Sequence, residues 1–381
     1  MAGIMSRMNS GAGAWHVHVF LTALAAALAL ACGGSPPPRE AATNAPAPAP
    51  AAESVRLYVS DETGGNVVVI DAGSRQIVQT IAVGKRPRGV RLAPDGARLF
   101  VALSGSPIAP PGVDESTLPP PDRAADGIGA VDLSALKVLR TYESGQDPEA
   151  FDVSLDGRTI YVSNEETAEM SVLDLASGSV VKRVPVGGEP EGVTLRPDGR
   201  EVYVTCEEVN EVFSVDTSTL AVTGQMKVGP RPRAIAFTPD GRTAFVSAEN
   251  GARVDVIDTA AHKVAGSIAI PSTAGTPTAP RPMGVVLSPD GRHVYVSLGR
   301  AKSIAVLDAA ARTHVKTIED VGTRPWGIGI SPDGEKLFTA NGPSGDVSIV
   351  DIASGRIDAR VAVGGSPWGL VVGRAAAAGQ R

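Results

Sequence analysis

Seven prolines, Pro87, Pro148, Pro190, Pro232, Pro282, Pro325 and Pro367, are flanked by residues able to do chemistry. In chain order the flanking pairs are Arg86/Arg88, Asp147/Glu149, Glu189/Glu191, Arg231/Arg233, Arg281/Met283, Arg324/Trp326 and Ser366/Trp368. Two chemistries are legible. Asp147, Glu149, Glu189 and Glu191 form an acidic group that could hold a divalent cation or act as a general base. Arg86, Arg88, Arg281, Arg324, Trp326 and Trp368 combine guanidinium forks with aromatic faces, the means of binding a planar anion. Against both stands a purely structural use, with Arg88 paired to Glu149 and Arg233 to Glu191 across the seams of neighbouring units.

Whether these residues meet depends on the elements that carry them. From Thr323 to Gly364 the chain reads as four short strands, with a Ser331-Pro332-Asp333-Gly334 turn after the first and Ser354-Gly355 before the last. The Asp of that first turn recurs at Asp95, Asp156, Asp198, Asp240, Asp290 and Asp333, at steps of 61, 42, 42, 50 and 43 residues. The unit is therefore about 42 residues long, with insertions at Ser104–Asp126 and Pro271–Pro280. A seventh unit is split, its last three strands at residues 57–84 and its first at 366–372. Pairing the two closes a ring and leaves no sheet incomplete. The expected fold is all-β, a seven-bladed β-propeller over residues 55–373, with 374–381 a disordered tail.

Two further columns follow the repeat. Tyr58, Phe100, Tyr161, Tyr203, Phe245, Tyr295 and Phe338 recur in the second strands and should pack between blades. Asp71, Asp132, Asp174, Asp216, Asp258, Asp308 and Asp351 end the third strands and should form turns. First strands line a propeller's channel, so the proline-flanking residues should ring one mouth. The small residues beyond them, Gly89, Ala150, Gly192, Ala234, Gly284, Gly327 and Gly369, suit the narrow centre.

Tyr203-Val204-Thr205-Cys206, Tyr161-Val162-Ser163-Asn164 and Phe338-Thr339-Ala340-Asn341 are incomplete versions of the motif that names the YVTN propellers. The chain resembles that family over about residues 55–373. The resemblance implies the seven-bladed fold and little about activity, because related propellers include lactonases, quinoprotein amine dehydrogenase subunits, domains of haem and copper enzymes, and surface proteins.

The 381 residues are 43% hydrophobic and 20% charged with a net charge of −6, an acidic balance that excludes general duplex DNA binding. Residues 1–31 read as a signal peptide, with an apolar run at Val17–Ala31 too short to span a bilayer comfortably. Ala29-Leu30-Ala31-Cys32-Gly33-Gly34 resembles a lipobox, with Ala29 where Leu is usual, and makes Cys32 the expected site of lipidation. Residues 32–54 are a Pro/Ala-rich tether. Together these predict an exported, lipid-anchored monomer of the cell envelope.

No haem-attachment motif, phosphate-binding loop or Gly-x-Ser-x-Gly elbow occurs, and no cofactor is evident. His262, His293 and His314 should lie in turns away from the ring, and Cys206 should be a buried, inert thiol. The expected function is a binding or scaffold module that takes a small anionic ligand or an envelope protein at the channel mouth. The alternatives are a lactonase-like hydrolase and, behind it, a quinoprotein-like redox partner.

Overall fold

The computed structural model describes residues 54–108, 113–114, 117–272 and 279–374. The expected signal peptide, Cys32 and the tether up to residue 53 lie outside them. Twenty-eight strands, β1–β28 in chain order, form seven four-stranded antiparallel sheets. The inner strands are β4 (Pro87–Leu92), β8 (Pro148–Val153), β12 (Pro190–Leu195), β16 (Pro232–Phe237), β20 (Pro282–Leu287), β24 (Pro325–Ile330) and β28 (Pro367–Arg374). Each begins at one of the seven prolines.

The ring closes as the split repeat requires. β28 pairs with β1 (Val55–Asp61), matching Leu57 with Val372, Tyr58 with Val371 and Val59 with Leu370. Arg374, the expected start of the tail, still pairs with Val55. No helix among the described residues is long and apolar enough to cross a membrane.

One sheet cannot bury both faces, so cohesion comes from blade-to-blade packing. All seven second-strand aromatics are buried. Tyr58 of the first blade packs with Val90, Leu99 and Val101 of the second, and Phe100 of the second with Phe151 and Ile160 of the third. The third-strand Asp residues cap their turns, as where Asp71 Oδ1 accepts the Ser74 amide at 2.7 Å and Asp308 Oδ1 the Ala311 amide at 2.6 Å.

The small residues of the inner strands have a definite cause. A Cβ on Gly369 would stand 2.4 Å from the Arg88 carbonyl oxygen, and one on Gly192 2.2 Å from that of Arg233. Second-strand hydroxyls clip the same carbonyls of the following blade. Ser60 Oγ donates to Arg88 O at 2.6 Å, Ser163 to Glu191 O at 2.7 Å, Thr205 to Arg233 O at 2.8 Å and Ser297 to Trp326 O at 2.9 Å.

Cys206 is buried, and burial pushes its thiol up to about 12, far from reactive. Of the three histidines among the described residues, only His262 sits in a turn. His293 begins the strand His293–Leu298, and His314 lies within Thr313–Ile318, because both repeats continue their strands through these positions.

Candidate functional site

Each inner strand carries a register shift just after its proline, as between Pro87 and Val90, or between Pro325 and Ile328. One extra residue re-aims the side chain that follows the proline. The residue before the proline is left-handed in six blades: Arg86, Asp147, Glu189, Arg231, Arg281 and Arg324 have φ between 42° and 59°. At Ser366 the split first blade departs from this pattern, and the left-handed residues there are Gly364 and Gly365. Turn and bulge together deliver the flanking side chains to one mouth of the channel.

That mouth is a basin of about 720 Å³. Arg86, Arg88, Glu149, Glu189, Glu191, Arg231, Arg233, Arg324, Trp326 and Trp368 line it, together with Leu118 and Pro119–Pro121 from the insertion in the second blade. A narrower cavity of about 160 Å³ continues inward between the first strands, with Trp326 and Trp368 lining both spaces.

On the acidic side two buried arginines organise the carboxylates. Arg88 is 1% exposed and donates to Glu149 and Asp147, to Glu165 at 3.2 Å and to the Pro148 carbonyl at 2.9 Å. Arg233 donates to Glu191, pairs with Glu207 at 2.5 Å and donates through Nε to Glu249 at 2.9 Å. The Arg88–Glu149 and Glu191–Arg233 seams expected from the sequence are therefore present. Each also engages carboxylates from elsewhere.

Glu149, Glu165 and Glu191 each bring an oxygen within 4.8 Å of the other two. Burial pushes Glu149 up to about 7 against the pull of Arg88, and burial with the nearby Glu149 charge takes Glu165 up to about 7. Burial also raises Glu191, with Arg233 opposing. Like charges this close resist ionising together, so the trio favours holding a proton near neutrality. Asp147 goes the other way. Despite its burial, Arg88 and a hydrogen bond from Ser104 hold it below the usual range. The all-oxygen trio also has the chemistry to hold a hard divalent cation in place of that proton. Of the four acidic residues singled out in the sequence, Glu149 and Glu191 thus join Glu165. Asp147 serves Arg88, and Glu189 stands exposed on the basin wall.

The basic residues divide as well. Arg88 is locked among carboxylates, Arg86 donates to Glu62 at 2.8 Å, and Arg281 bonds Asn250 and lies 3.4 Å from Glu249. The proline-flanking positions alone give Arg281 no acidic neighbour. Glu249 reaches it from the end of a second strand. Arg324 instead sets its guanidinium 4.5 Å from the Trp326 ring centroid, and Trp326 stacks with Trp368 at 5.9 Å and 23°.

Sequence reasoning missed Glu62, Glu165, Glu207 and Glu249, which follow the second strands directly. The signal was a column: Ser60-Asp61-Glu62, Ser163-Asn164-Glu165, Thr205-Cys206-Glu207 and Ser247-Ala248-Glu249 align with Ser297-Leu298-Gly299 and Ala340-Asn341-Gly342.

A family model described as lactonase, seven-bladed β-propeller, matches residues 212–367, and a YNCE-like β-propeller model matches 114–200. The chain is a seven-bladed β-propeller related to the lactonase and YNCE-like propellers. The first match contains Arg233, Glu249, Arg324 and Trp326, while Glu149, Glu165 and Glu191 fall within the second. Antigen Lp49 of Leptospira interrogans is 27% identical over 109 residues, 29% of this chain and only 23% of that protein. Among solved structures, the periplasmic gluconolactonase of Pseudomonas aeruginosa is 20% identical with a TM-score of 0.68, covering 84% of this chain and 98% of its own. A putative 6-phosphogluconolactonase of Bacteroides fragilis is 19% identical, also with a TM-score of 0.68, covering 86% and 99%. A chain of the Kuenenia stuttgartiensis hydrazine synthase is 21% identical with a TM-score of 0.60, covering 74% and 88%. At such identities the likeness is one of fold, and the fold serves different chemistries.

Proposed function

We propose that this propeller is a lactonase-like hydrolase that opens a cyclic ester at the channel mouth. The observation that carries the reading is the trio Glu149, Glu165 and Glu191, three carboxyl groups within 4.8 Å of one another beside the basin. With one member protonated and another ionised near neutrality, both halves of acid–base catalysis are present. An ionised member takes a proton from water as the water oxygen attacks the ester carbonyl. The protonated member gives its proton to the ring oxygen as the C–O bond breaks, and the product is the open hydroxy acid.

The lactonase family match and the structural relatives named as lactonases support this reading over a pure binding or scaffold module. The second-strand columns keep the repeat of YVTN type within that wider group.

Glucono-δ-lactone and simple γ-lactones should be hydrolysed above the buffer rate. Glu149→Gln, Glu165→Gln and Glu191→Gln should each lower kcat by about 100- to 10,000-fold. Activity should fall below pH 6 as the base is protonated and above pH 8 as the acid is lost, about one unit either side of the carboxyl values near 7. Activity that a chelator abolishes and magnesium or calcium restores would assign the trio to a cation instead. Absence of hydrolysis across the lactone series defeats the proposal.

We also propose export with acylation at Cys32, supported by the apolar run ending in Ala29-Leu30-Ala31-Cys32. Mass spectrometry of membrane-extracted protein should find Cys32 as the lipidated N-terminus. An unmodified N-terminus in the soluble fraction would leave a secreted protein.

A further inference from the structure

We propose that Arg324, Trp326 and Trp368 form a separate binding subsite for a flat ring carrying an oxyanion, a carboxylate or a phosphate. The subsite concerns binding and does not rest on the hydrolase reading.

The column that follows the second strands supplies most of the rim arginines with a carboxylate. Glu62 neutralises Arg86, Glu207 lies 2.5 Å from Arg231 and Glu249 lies 3.4 Å from Arg281. In each case the carboxylate comes from the preceding blade, and Arg231 also has Glu249 of its own blade at 3.4 Å. For Arg324 the preceding blade offers Gly299 at that position and its own blade Gly342. Arg324 therefore makes no ion pair among the described residues, and its contact is the face of Trp326. A guanidinium stacked on an indole uses its π face and keeps its N–H edge, the part that grips an oxyanion bidentately. The other three arginines already face a carboxylate, Arg86 and Arg231 through Nε and Arg281 through Nη1, so their charge is answered within the protein.

Gly342 has a second consequence. A Cβ there would approach Trp326 Nε1 and Cδ1 at 3.2 and 3.3 Å, so a Glu like those of the other blades would crowd the indole. The same glycine thus removes a competing carboxylate and makes room for the ring. Trp326 and Trp368 are each partly exposed, line the basin and lie 23° from parallel, which suits a flat ring against them. The opposing use is a plug, since both indoles also border the inner cavity.

The test titrates the whole protein with naphthalene-2-carboxylate and with 2-naphthyl phosphate, using the neutral naphthalene-2-methanol as control, followed by calorimetry and Trp fluorescence. Saturable binding of at least one anion is expected, about tenfold or more tighter than the alcohol. The better anion identifies the oxyanion that the subsite prefers. Arg324→Gln should cost about tenfold or more in anion affinity and leave the melting temperature within about 2 °C, because the side chain is exposed. Trp368→Ala should cost about tenfold. The proposal fails if neither anion saturates, if the alcohol binds as well as the anions, or if Arg324→Gln binds like the parent. Loss of lactone hydrolysis in the carboxylate variants with anion binding intact would separate this subsite from the hydrolase reading.

Discussion

Ending the chain at residue 365 will abolish cooperative folding of the ring rather than trim it. The truncation removes β28, leaving β1 as an open edge beside a gap in the first blade. Leu370 is buried, and Val371 and Val372 pack against the clusters on the two sides of that blade. At about 1.5–3 kcal/mol for fully burying such a side chain, and less for the two half-buried valines, their loss is a large fraction of a net stability of about 5–15 kcal/mol. Thermal unfolding by circular dichroism reads the outcome. A truncated protein that melts like the parent would show that the closure contributes nothing.

Arg88→Met will be the most damaging single substitution at the mouth. Arg88 answers Asp147, Glu149 and Glu165 at once and is almost wholly buried. Removing one partner of a buried ion pair costs about 3–5 kcal/mol, because the charge left behind has neither water nor counter-ion. The melting temperature should fall by on the order of 10 °C near pH 8. At pH 5 the loss should be smaller, since the orphaned carboxyl groups can take up protons. Burial works against the charge of Arg88 itself, yet its three carboxylates outweigh that and hold it protonated throughout.

The parent protein should carry the same signature. Glu149 and Glu165 titrate near 7 when folded and near their ordinary carboxyl range when unfolded. The folded state therefore binds more protons, and stability is fully present below the unfolded values and lost as pH rises through 7. Burial lowers His314, which works in the opposite sense over part of this window, and His314→Gln removes it. Asp198 and Asp216, held near 2 by hydrogen bonds from Arg196 and Ser218, lose their contribution only in strong acid. A melting temperature that does not fall between pH 5 and 8 in His314→Gln would contradict the shared-proton description of the trio.

The repeat itself determined most of the architecture. A turn with Asp at a step of about 42 residues, an aromatic in every second strand and an Asp closing every third strand each demand a local geometry. Seven copies of a sheet with two apolar faces have to stack into a ring. The Arg88–Glu149 and Arg233–Glu191 seams were legible for the same reason: equivalent positions of neighbouring blades are neighbours in space. The tertiary structure decided how the mouth is partitioned. Glu165, Glu207 and Glu249 approach the proline-flanking residues only because the second strand of each blade ends where the inner strand begins, and because a bulge turns Arg88 and Arg233 towards them. Which arginines are neutralised followed from that meeting. Arg281 gained Glu249 from the blade before it, and Arg324, with Gly299 and Gly342 at the corresponding positions, gained an indole. Side-chain type along the chain sets what each residue can do. Which partner lies within a few ångströms depends on strand register and blade packing, and the spacing of the prolines does not contain either.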